Sequence, residues 1–218
     1  MAPAARRTRR HDPNRRQRII DAALDVLATD GVAGITHRAI GTVADVPLGS
    51  ITYHFANLAD IVDVAFETHV AKLADRFAAR LAQCDSAEDA IECIVTAVTD
   101  DLAAHPNELA VTYELYGAAV RRAATKRVTQ RWMGLAEEAL AQHFPRPTAR
   151  LLDVVVEGLM VHMSIAQQQI SKGEVRALLT IAAHAGQAAY ESGSTLGVDV
   201  DADHKFVKHN PQRSQETP

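Results

Sequence analysis

The amino-acid sequence predicts an all-α protein with about nine helices, in which a three-helix unit carrying a helix-turn-helix precedes a larger helical domain. Long stretches rich in Ala, Leu and Val repeat with the period of an α-helix, and segments with the alternation of a strand are hard to find. Capping residues, Pro and Gly divide these stretches. The chain has 218 residues, 47% of them hydrophobic, which is enough for a small domain joined to a medium one.

The N-terminal unit is predicted to contain three helices. The first runs over about 13–29 and ends at Gly31, a residue suited to a helix C-terminus. Thr36 caps the second helix, and Pro47 opens the third because its φ is already fixed near the helical value. Asp45 lies where the chain bends between them and tolerates the left-handed conformation better than most residues. The predicted core of this unit consists of Ile40, Val43, Val46, Ile51 and Phe55.

Six longer helices are predicted after this unit. The fourth begins at the cap Asn57, extends to about residue 83 and links the two domains. Ser86 caps the fifth, which His105-Pro106 ends. The predicted ranges of the last four helices are about 109–116, 125–144, 148–171 and 174–192.

The last two helices have the pattern of a dimer interface. The eighth is apolar nearly all round, so it must be covered on several sides, and Gly173 is expected to stop it. In the ninth, small residues such as Ala182 and Gly186 lie one turn apart and let helix backbones come close. The buried core of a monomer would have the same pattern, so both interpretations remain open.

Charge is distributed unevenly along the chain. Residues 1–18 carry seven Arg against one Asp, a net +6, whereas the whole chain carries −4, so the remainder carries −10. A basic N-terminal arm beside a DNA-binding unit suits phosphate contacts. A disordered, solubilising arm is the other interpretation, and the two are compatible because such arms often become ordered on DNA.

Several classes of protein are disfavoured by the sequence. Cys84 and Cys93 do not form a metal-type cluster, and two reduced thiols fit a cytoplasmic protein. No stretch approaches a membrane span or an export signal. The ten His do not form a His-Glu-x-x-His motif, and neither a Gly-x-Ser-x-Gly motif nor a phosphate-binding Gly loop is present. We therefore predict no enzyme activity, no catalytic residue, no metal and no cofactor.

The third helix carries the residues expected to face DNA. Its outward groups are predicted to be Leu48, Gly49, Ser50, Thr52, Tyr53 and His54. In a helix-turn-helix, one helix crosses the backbone and the second enters the major groove. No Arg, Asn or Gln lies between Pro47 and His54 for bidentate base contacts, so much of the affinity is expected from phosphate contacts and from the arm. For His54, packing beside Phe55 is an equally good interpretation.

The segment over 36–55 resembles the DNA-binding signature of the TetR family of bacterial transcriptional regulators. That signature reads approximately T-x-R-x-I-A-x-x-A-G-V-S-x-G-x-L-Y-x-H-F. The positions that match outright are Thr36, Arg38, Ile40, Ala44, Val46, Gly49, His54 and Phe55. The positions that differ are Gly41 for Ala, Asp45 for Gly, Pro47 for Ser, Thr52 for the first aromatic residue, and Leu58 for a Lys that touches phosphate.

The resemblance implies a homodimer, formed through the last two helices, that binds a palindromic double-stranded operator. Thr36 and Arg38 would hold the flanking backbone, and Pro47 would join the third-helix residues at the DNA. The expected division of the chain is a disordered basic arm (1–12), a helix-turn-helix domain (13–56), a ligand-binding and dimerisation domain (57–192) and a disordered tail (193–218).

The resemblance also implies a small-molecule effector that enters a pocket between the middle helices and releases the DNA. The candidate ligand residues are Tyr113, Glu114, Trp132, Met160, Met163 and Gln167, with Tyr116 and His162 nearby. For each of these residues taken alone, ordinary core packing is the better interpretation. The acidic second domain suggests a cationic or neutral effector, although solvated helix faces explain the acidic balance equally well. A repressor is the expected role, although induction and corepression both remain open, and the alternative is an architectural DNA-binding protein of the same fold that senses nothing.

Overall fold

The computed structural model describes residues 12–101, 104–165 and 170–192, and within these ranges the chain forms nine α-helices and no strand. The helices are α1 (Arg15–Asp30), α2 (His37–Ala44), α3 (Leu48–His54), α4 (Leu58–Leu81), α5 (Ala87–Thr96), α6 (Pro106–Ala119), α7 (Ala123–Leu140), α8 (Arg146–Ile165) and α9 (Lys172–Glu191). The predicted all-α fold class is confirmed. In the part of the chain that is described, no helix is long and apolar enough to cross a membrane.

Side-chain caps begin three of the helices where the sequence predicted them. The Thr36 hydroxyl accepts a hydrogen bond from the Ala39 amide at 3.0 Å, and Asn57 Oδ1 accepts one from the Asp60 amide at 2.9 Å. Ser86 Oγ caps α5 in the same way, 3.1 Å from the Asp89 amide. Each bond satisfies one of the amides that a helix N-terminus leaves unpaired.

Two residues with positive φ shape the N-terminal unit. Gly31, with φ 66°, ends α1, and Asp45, with φ 50°, forms the bend between α2 and α3. Both were predicted. Val43 was wrongly predicted in the core: it is 50% exposed, because it lies on the outer face of α2 while Ile40 and Ala44 face inward.

Two hydrophobic clusters hold the helices together. The N-terminal core joins α1–α3 to the first half of α4, to Val111 and Leu115 of α6, and to Val128 of α7. The C-terminal core joins the end of α4 to α5, α7, α8 and α9. Helix α4 therefore belongs to both cores, and α6 packs directly against the DNA-binding unit.

The α8–α9 pair packs closely, as its small residues predicted. Gly186 is buried, and a Cβ added there would lie only 2.9 Å from the Cα of Thr148. Helix α8 is nevertheless not covered all round in the single chain, since Val154 is 62% and Ile165 76% exposed.

The junction between α8 and α9 corrects one prediction. Gly173 does not stop the eighth helix; it lies in the first turn of α9, and residues 170 and 171 are outside either helix. Ser171 and Glu174 form a capping box, in which Glu174 Oε2 accepts from the Ser171 amide at 2.9 Å. The reciprocal cap offsets the cost of about 1 kcal/mol that Gly brings to a helix.

Helix α5 does not end regularly. It continues into a π-helical turn, Ala97–Asp101, in which Val98 is buried and Asp101 pairs with Arg80 of α4. Such turns are frequent at functional sites because they change the direction of side chains within a helix.

Candidate nucleic-acid interface and effector cavity

Helix α3 is held by its buried side and presents its other side to solvent. Ile51 and Phe55 are buried in the N-terminal core, which fixes the orientation of the helix. Tyr53 is 84% exposed. Its ring and the His54 ring are nearly perpendicular, with 5.1 Å between the ring centres. Since α3 has only seven residues, these two apolar anchors and the Asp45 bend are enough to define its angle.

All of the predicted DNA-facing residues are at least partly accessible to solvent. The exposed ones are Thr36, Arg38, Pro47, Leu48, Gly49, Thr52 and Tyr53, and the half-buried ones are Ser50 and His54. The Thr36 hydroxyl oxygen is occupied by the α2 cap. Leu58, which stands where the family signature has Lys, is half-buried against the N-terminal core and offers no phosphate contact.

Two glycines in this unit have different roles. A Cβ at Gly41 would lie 3.2 Å from the Val46 carbonyl oxygen, so Gly41 permits the close approach of α2 to the bend. A Cβ at Gly49 would meet nothing within 4 Å. Packing inside the described chain therefore gives no reason for Gly49, whereas a closely approaching phosphate would.

Two of the seven arginines within residues 1–18 lie in α1 and support the unit itself. The Arg18 guanidinium donates to the carbonyl oxygens of Ala44 and Asp45, at 3.1 Å for Asp45, and so stabilises the end of α2. The Arg16 guanidinium carbon lies 5.1 Å from the centre of the Phe55 ring, within cation–π range. The arm predicted over 1–12 lies, apart from Asp12, outside the described residues.

A cavity of about 130 Å³ lies between α4, the π-helical turn, α6, α7 and α8. Its apolar and aromatic walls include Leu73 and Phe77 of α4, Trp132 of α7 and Met160 of α8. Few polar groups in a mostly apolar cavity are typical of a small-molecule site.

The structure brings only some of the predicted ligand residues to this cavity. Trp132 and Met160 line it, whereas Tyr113 and Met163 lie outside its lining. The Tyr113 hydroxyl forms a hydrogen bond with Ser164 Oγ at 2.9 Å, between α6 and α8. Met163 packs against the C-terminal core. Gln167 lies outside the described residues.

Glu114 connects the two parts of the molecule instead of facing the cavity. Its Oε2 accepts a hydrogen bond from the Val32 amide at 2.8 Å, in the turn after α1. The same carboxylate lies where a side chain at Gly31 would be. Helix α6 is thus fastened to the DNA-binding unit by a polar contact as well as by the N-terminal core.

The cavity contains charged residues that the sequence analysis missed. Arg76 and Arg80 of α4 pair with Glu108 and Asp101 respectively, with Arg76 Nη1 3.1 Å from Glu108 Oε1. The hydrogen bond from Arg76 lowers the pKa of Glu108. These four charges form two ion pairs on the α4 side of the cavity.

Two further carboxylates, Asp153 and Glu157, lie one turn apart on α8 at the opposite wall. Glu157 Oε1 accepts from the Tyr116 hydroxyl at 2.7 Å and lies 3.4 Å from Trp132 Nε1. Burial raises the pKa of Asp153 to about 7, with a further rise from the charge of Glu157. Burial also raises the pKa of Glu157, against the two hydrogen bonds that favour its ionised form. The signal that could have found them is an i, i+4 pair of acids inside a helix otherwise rich in apolar residues.

A buried histidine joins α4 to α6 beside the cavity. His69 Nε2 lies 2.9 Å from Thr112 Oγ1, and Thr112 also lines the cavity. Burial lowers the pKa of His69 to about 4, so its ring is neutral at physiological pH.

The fold and these surfaces define a helix-turn-helix transcriptional regulator with a separate cavity beside the linking helix. No protein-family model matches the chain. The multidrug binding protein EbrR, in its ethidium complex, is 33% identical, with 78% of this chain and 98% of that chain covered and a TM-score of 0.66. SCO1917 of Streptomyces coelicolor, a member of the TetR family, is also 33% identical, covering 78% and 99% of the two chains, with a TM-score of 0.66.

A third similarity agrees with these. The HTH-type transcriptional regulator BetI 1 of Chromohalobacter salexigens is 26% identical over 178 residues, which are 76% of this chain and 87% of BetI 1. The chain belongs to the TetR family of transcriptional regulators. Its relatives are regulators of transcription and not enzymes, and the family fold carries DNA binding and homodimerisation.

Proposed function

We propose that the protein is a repressor that binds a palindromic operator as a homodimer and leaves it when a small molecule enters the cavity. The observation that carries this proposal is the position of α4. Its first half is buried in the same core as α1–α3, and its second half supplies Leu73, Phe77 and the two arginines of the cavity wall. A ligand that alters this wall therefore acts on the helix that holds the DNA-binding unit. It can shift the equilibrium only by its different affinities for the two conformations.

The proposed DNA contacts divide into two kinds. Leu48, Ser50, Thr52, Tyr53 and His54 would reach base edges and phosphates in the major groove, and Gly49 would allow a phosphate to approach the backbone. Thr36, Arg38 and Pro47 would contact the flanking backbone. The two copies of this face in a dimer call for two half-sites about one helical turn, ~34–36 Å, apart or at a larger groove-to-groove spacing.

The proposed dimer interface is the exposed apolar face of α8 and α9. Val154, Val161 and Ile165 lie on one side of α8, and Leu178 and Ile181 on one side of α9. Val154→Glu places a charge in this face, whereas Val120→Glu makes the same change at an exposed site in the loop after α6. Analytical ultracentrifugation should find a monomer for the first variant and a dimer for the second. A dimer in both would place the interface elsewhere.

DNA binding is tested by selecting duplexes from a random library with the purified dimer, then measuring affinity by fluorescence anisotropy. Tyr53→Ala should weaken binding to the selected duplex, and Glu138→Gln, an exposed change on α7, should not. Deletion of residues 1–10, which contain four Arg, should flatten the dependence of log K on log salt by about 0.9 for each phosphate that the arm neutralises. An unchanged slope would exclude the arm from the DNA interface.

Release by an effector is tested on the protein–operator complex. EbrR has been crystallised with imidazole, ethidium, malachite green and proflavin, which makes compounds of these kinds suitable first candidates. A compound that binds only the folded protein, at ~100 times its Kd, should add about 2.7 kcal/mol to stability. Because some dyes bind DNA directly, Met160→Trp, which fills the cavity, is the control: the effector should release the wild-type protein and leave this variant on the operator. Release of both the wild-type protein and the variant would mean that the compound acts by binding the DNA. No release by any stabilising compound would favour the architectural alternative.

A further inference from the structure

The charges around the cavity do not balance. Its lining contains four carboxylates but only two arginines. Arg76 and Arg80 are each committed to one carboxylate across the α4 wall. Among the described residues, neither Asp153 nor Glu157 has a basic partner within ion-pair distance.

The two unpaired carboxylates have different environments. Glu157 is held in place, since Tyr116 donates to its Oε1 at 2.7 Å and Trp132 Nε1 donates to the Tyr116 oxygen at 3.0 Å. Its Oε2 and both oxygens of Asp153 accept no hydrogen bond within the described chain, and none of these atoms is sealed inside the protein. Both residues line the cavity, so a ligand there could use their remaining acceptor capacity.

Keeping two acids in this position costs stability. Like charges one turn apart repel, and burial penalises the ionised form of both side chains. Glu137 of α7 adds a third negative charge near Asp153. Glu137 itself pairs with Arg146 at the start of α8, with 4.0 Å between Glu137 Oε1 and Arg146 Nη1. An amide at either position would remove the repulsion and keep the shape. A positive charge in the cavity would also remove it.

The remaining walls of the cavity suit an aromatic molecule. Trp132 and Phe77 line the same space as the acids, and aromatic rings attract cations through their faces. A divalent metal is a poorer match, because no group of three or more His, Cys, Asp or Glu in the described part of the chain could hold one.

We propose that Asp153 and Glu157 form the recognition site for a lipophilic organic cation, which is the effector class of this protein. The inference rests on the proposed effector role of the cavity and adds the charge of the ligand to it. The cation would lie beside Asp153, with the ordered Glu157 as its second anion and Trp132 as an aromatic wall. Neutral molecules of the same shape would fill the cavity without compensating either acid.

The test uses the dimeric protein without DNA and two related dyes, ethidium and its uncharged reduced form dihydroethidium, with binding followed by fluorescence at pH 8. Wild-type protein is compared with the double variant Asp153→Asn/Glu157→Gln. The matched control is Asp75→Asn/Glu138→Gln, which removes the same two charges from exposed positions on α4 and α7. We expect the acid-pair variant to bind ethidium about 30-fold or more weakly, in line with the loss of a buried charge partner, and the control to bind it as wild type does.

Dihydroethidium separates this inference from the proposed function. It should bind the wild-type protein more weakly than ethidium does. Its affinity for the acid-pair variant should equal its affinity for wild type. Equal ethidium affinity in wild type and the acid-pair variant would overturn the inference. So would dihydroethidium binding as tightly as ethidium, although the cavity would then stand as an effector site for neutral compounds. Failure of both dyes to bind wild type would overturn the inference and remove the support that the dye complexes of EbrR give to the proposed function. Because the amides remove repulsion, the variant is expected to unfold at a higher temperature than wild type, which thermal denaturation verifies.

Discussion

The two walls of the cavity differ in whether their charged and polar groups have partners within the protein. On the α4–α6 side, every charge in the lining has a partner, and the His69 ring is neutral and hydrogen-bonded to Thr112. On the α8 side, Asp153 and Glu157 face each other's charge without a cation in the described chain. The first wall resembles the interior of a stable protein, in which buried polar groups are satisfied. In the second, two acids lack a cation among the described residues, and we propose that a ligand supplies it.

This difference distinguishes polar residues that hold helices together from polar residues that are proposed to bind a ligand. Paired groups in the first wall hold α4 against α6, so removing one of them disturbs the contact between helices. The acids of the second wall contribute nothing to folding that amides would not, which is one basis of the ligand site proposed above. Polar residues that lower stability identify the site more clearly than those that add to it.

The largest expected effect is the stabilisation of the ligand-free protein by Asp153→Asn. Because the pKa of Asp153 is raised from 3.8 to about 7 in the folded state, ionisation favours the unfolded chain, and stability falls as the pH rises from about 4 to 7. Asp153→Asn should raise the unfolding free energy at pH 8 by on the order of 2 to 4 kcal/mol and change it little at pH 4. Urea unfolding at fixed protein concentration measures both values. An equal gain at the two pH values would mean that packing, and not charge, is responsible.

The next effect in size has the opposite sign and comes from His69. Its pKa is lowered from 6.5 to about 4, so the unfolded chain takes up a proton that the folded protein excludes, and stability falls as the pH drops from 6.5 to 4. His69→Gln keeps a hydrogen-bonding group beside Thr112 and should remove this loss, on the order of 2 to 3 kcal/mol across the window.

The two residues act over the same pH range in opposite directions, so their slopes partly cancel in the wild-type protein. The unfolding free energy of Asp153→Asn should therefore depend on acid pH more steeply than that of wild type. Adding His69→Gln to it should flatten the curve again. A wild-type curve that neither substitution alters would mean that neither pKa shift contributes to the pH dependence of stability.

The smallest effect concerns the paired wall. A double-mutant cycle with Arg76→Gln and Glu108→Gln should give a coupling free energy below about 1 kcal/mol, because both side chains are partly exposed to solvent. Arg76→Gln alone leaves Glu108 as a third unpaired acid and should strengthen ethidium binding about 2- to 5-fold. Weaker ethidium binding by Arg76→Gln would mean that Arg76 contacts the ligand.

Local sequence signals predicted most of the fold. Thr36, Asn57 and Ser86 were identified as caps because their side chains satisfy free amides, and Asp45 because it tolerates a positive φ. These properties depend on neighbours within four residues. Gly173 was misread for the same reason: its helix-breaking tendency was weighed alone, although Ser171 and Glu174 around it form a stronger starting signal.

The cavity could be predicted only in part, since it is formed by residues distant in sequence. Trp132 and Met160 were identified as aromatic and flexible residues on the middle helices, but the same criteria selected Glu114, which lies against Val32. Nothing in the sequence around Arg76 or Asp101 indicates that α4 and the π-helical turn come together. Asp153 and Glu157 were overlooked because the apolar majority of α8 dominated its interpretation.

The attachment of α6 to the DNA-binding unit through Glu114 bears on how regulators of this kind can diverge. The groups proposed to choose the ligand lie on α8, whereas the groups that join the cavity to the DNA-binding unit lie on α4 and α6. A change at the two α8 acids therefore leaves the contact between Glu114 and Val32 in place. If the proposed ligand site is correct, a gene duplicate with neutral residues at positions 153 and 157 would bind a different class of compound and keep the Glu114 contact, so one sensed compound could replace another through few mutations.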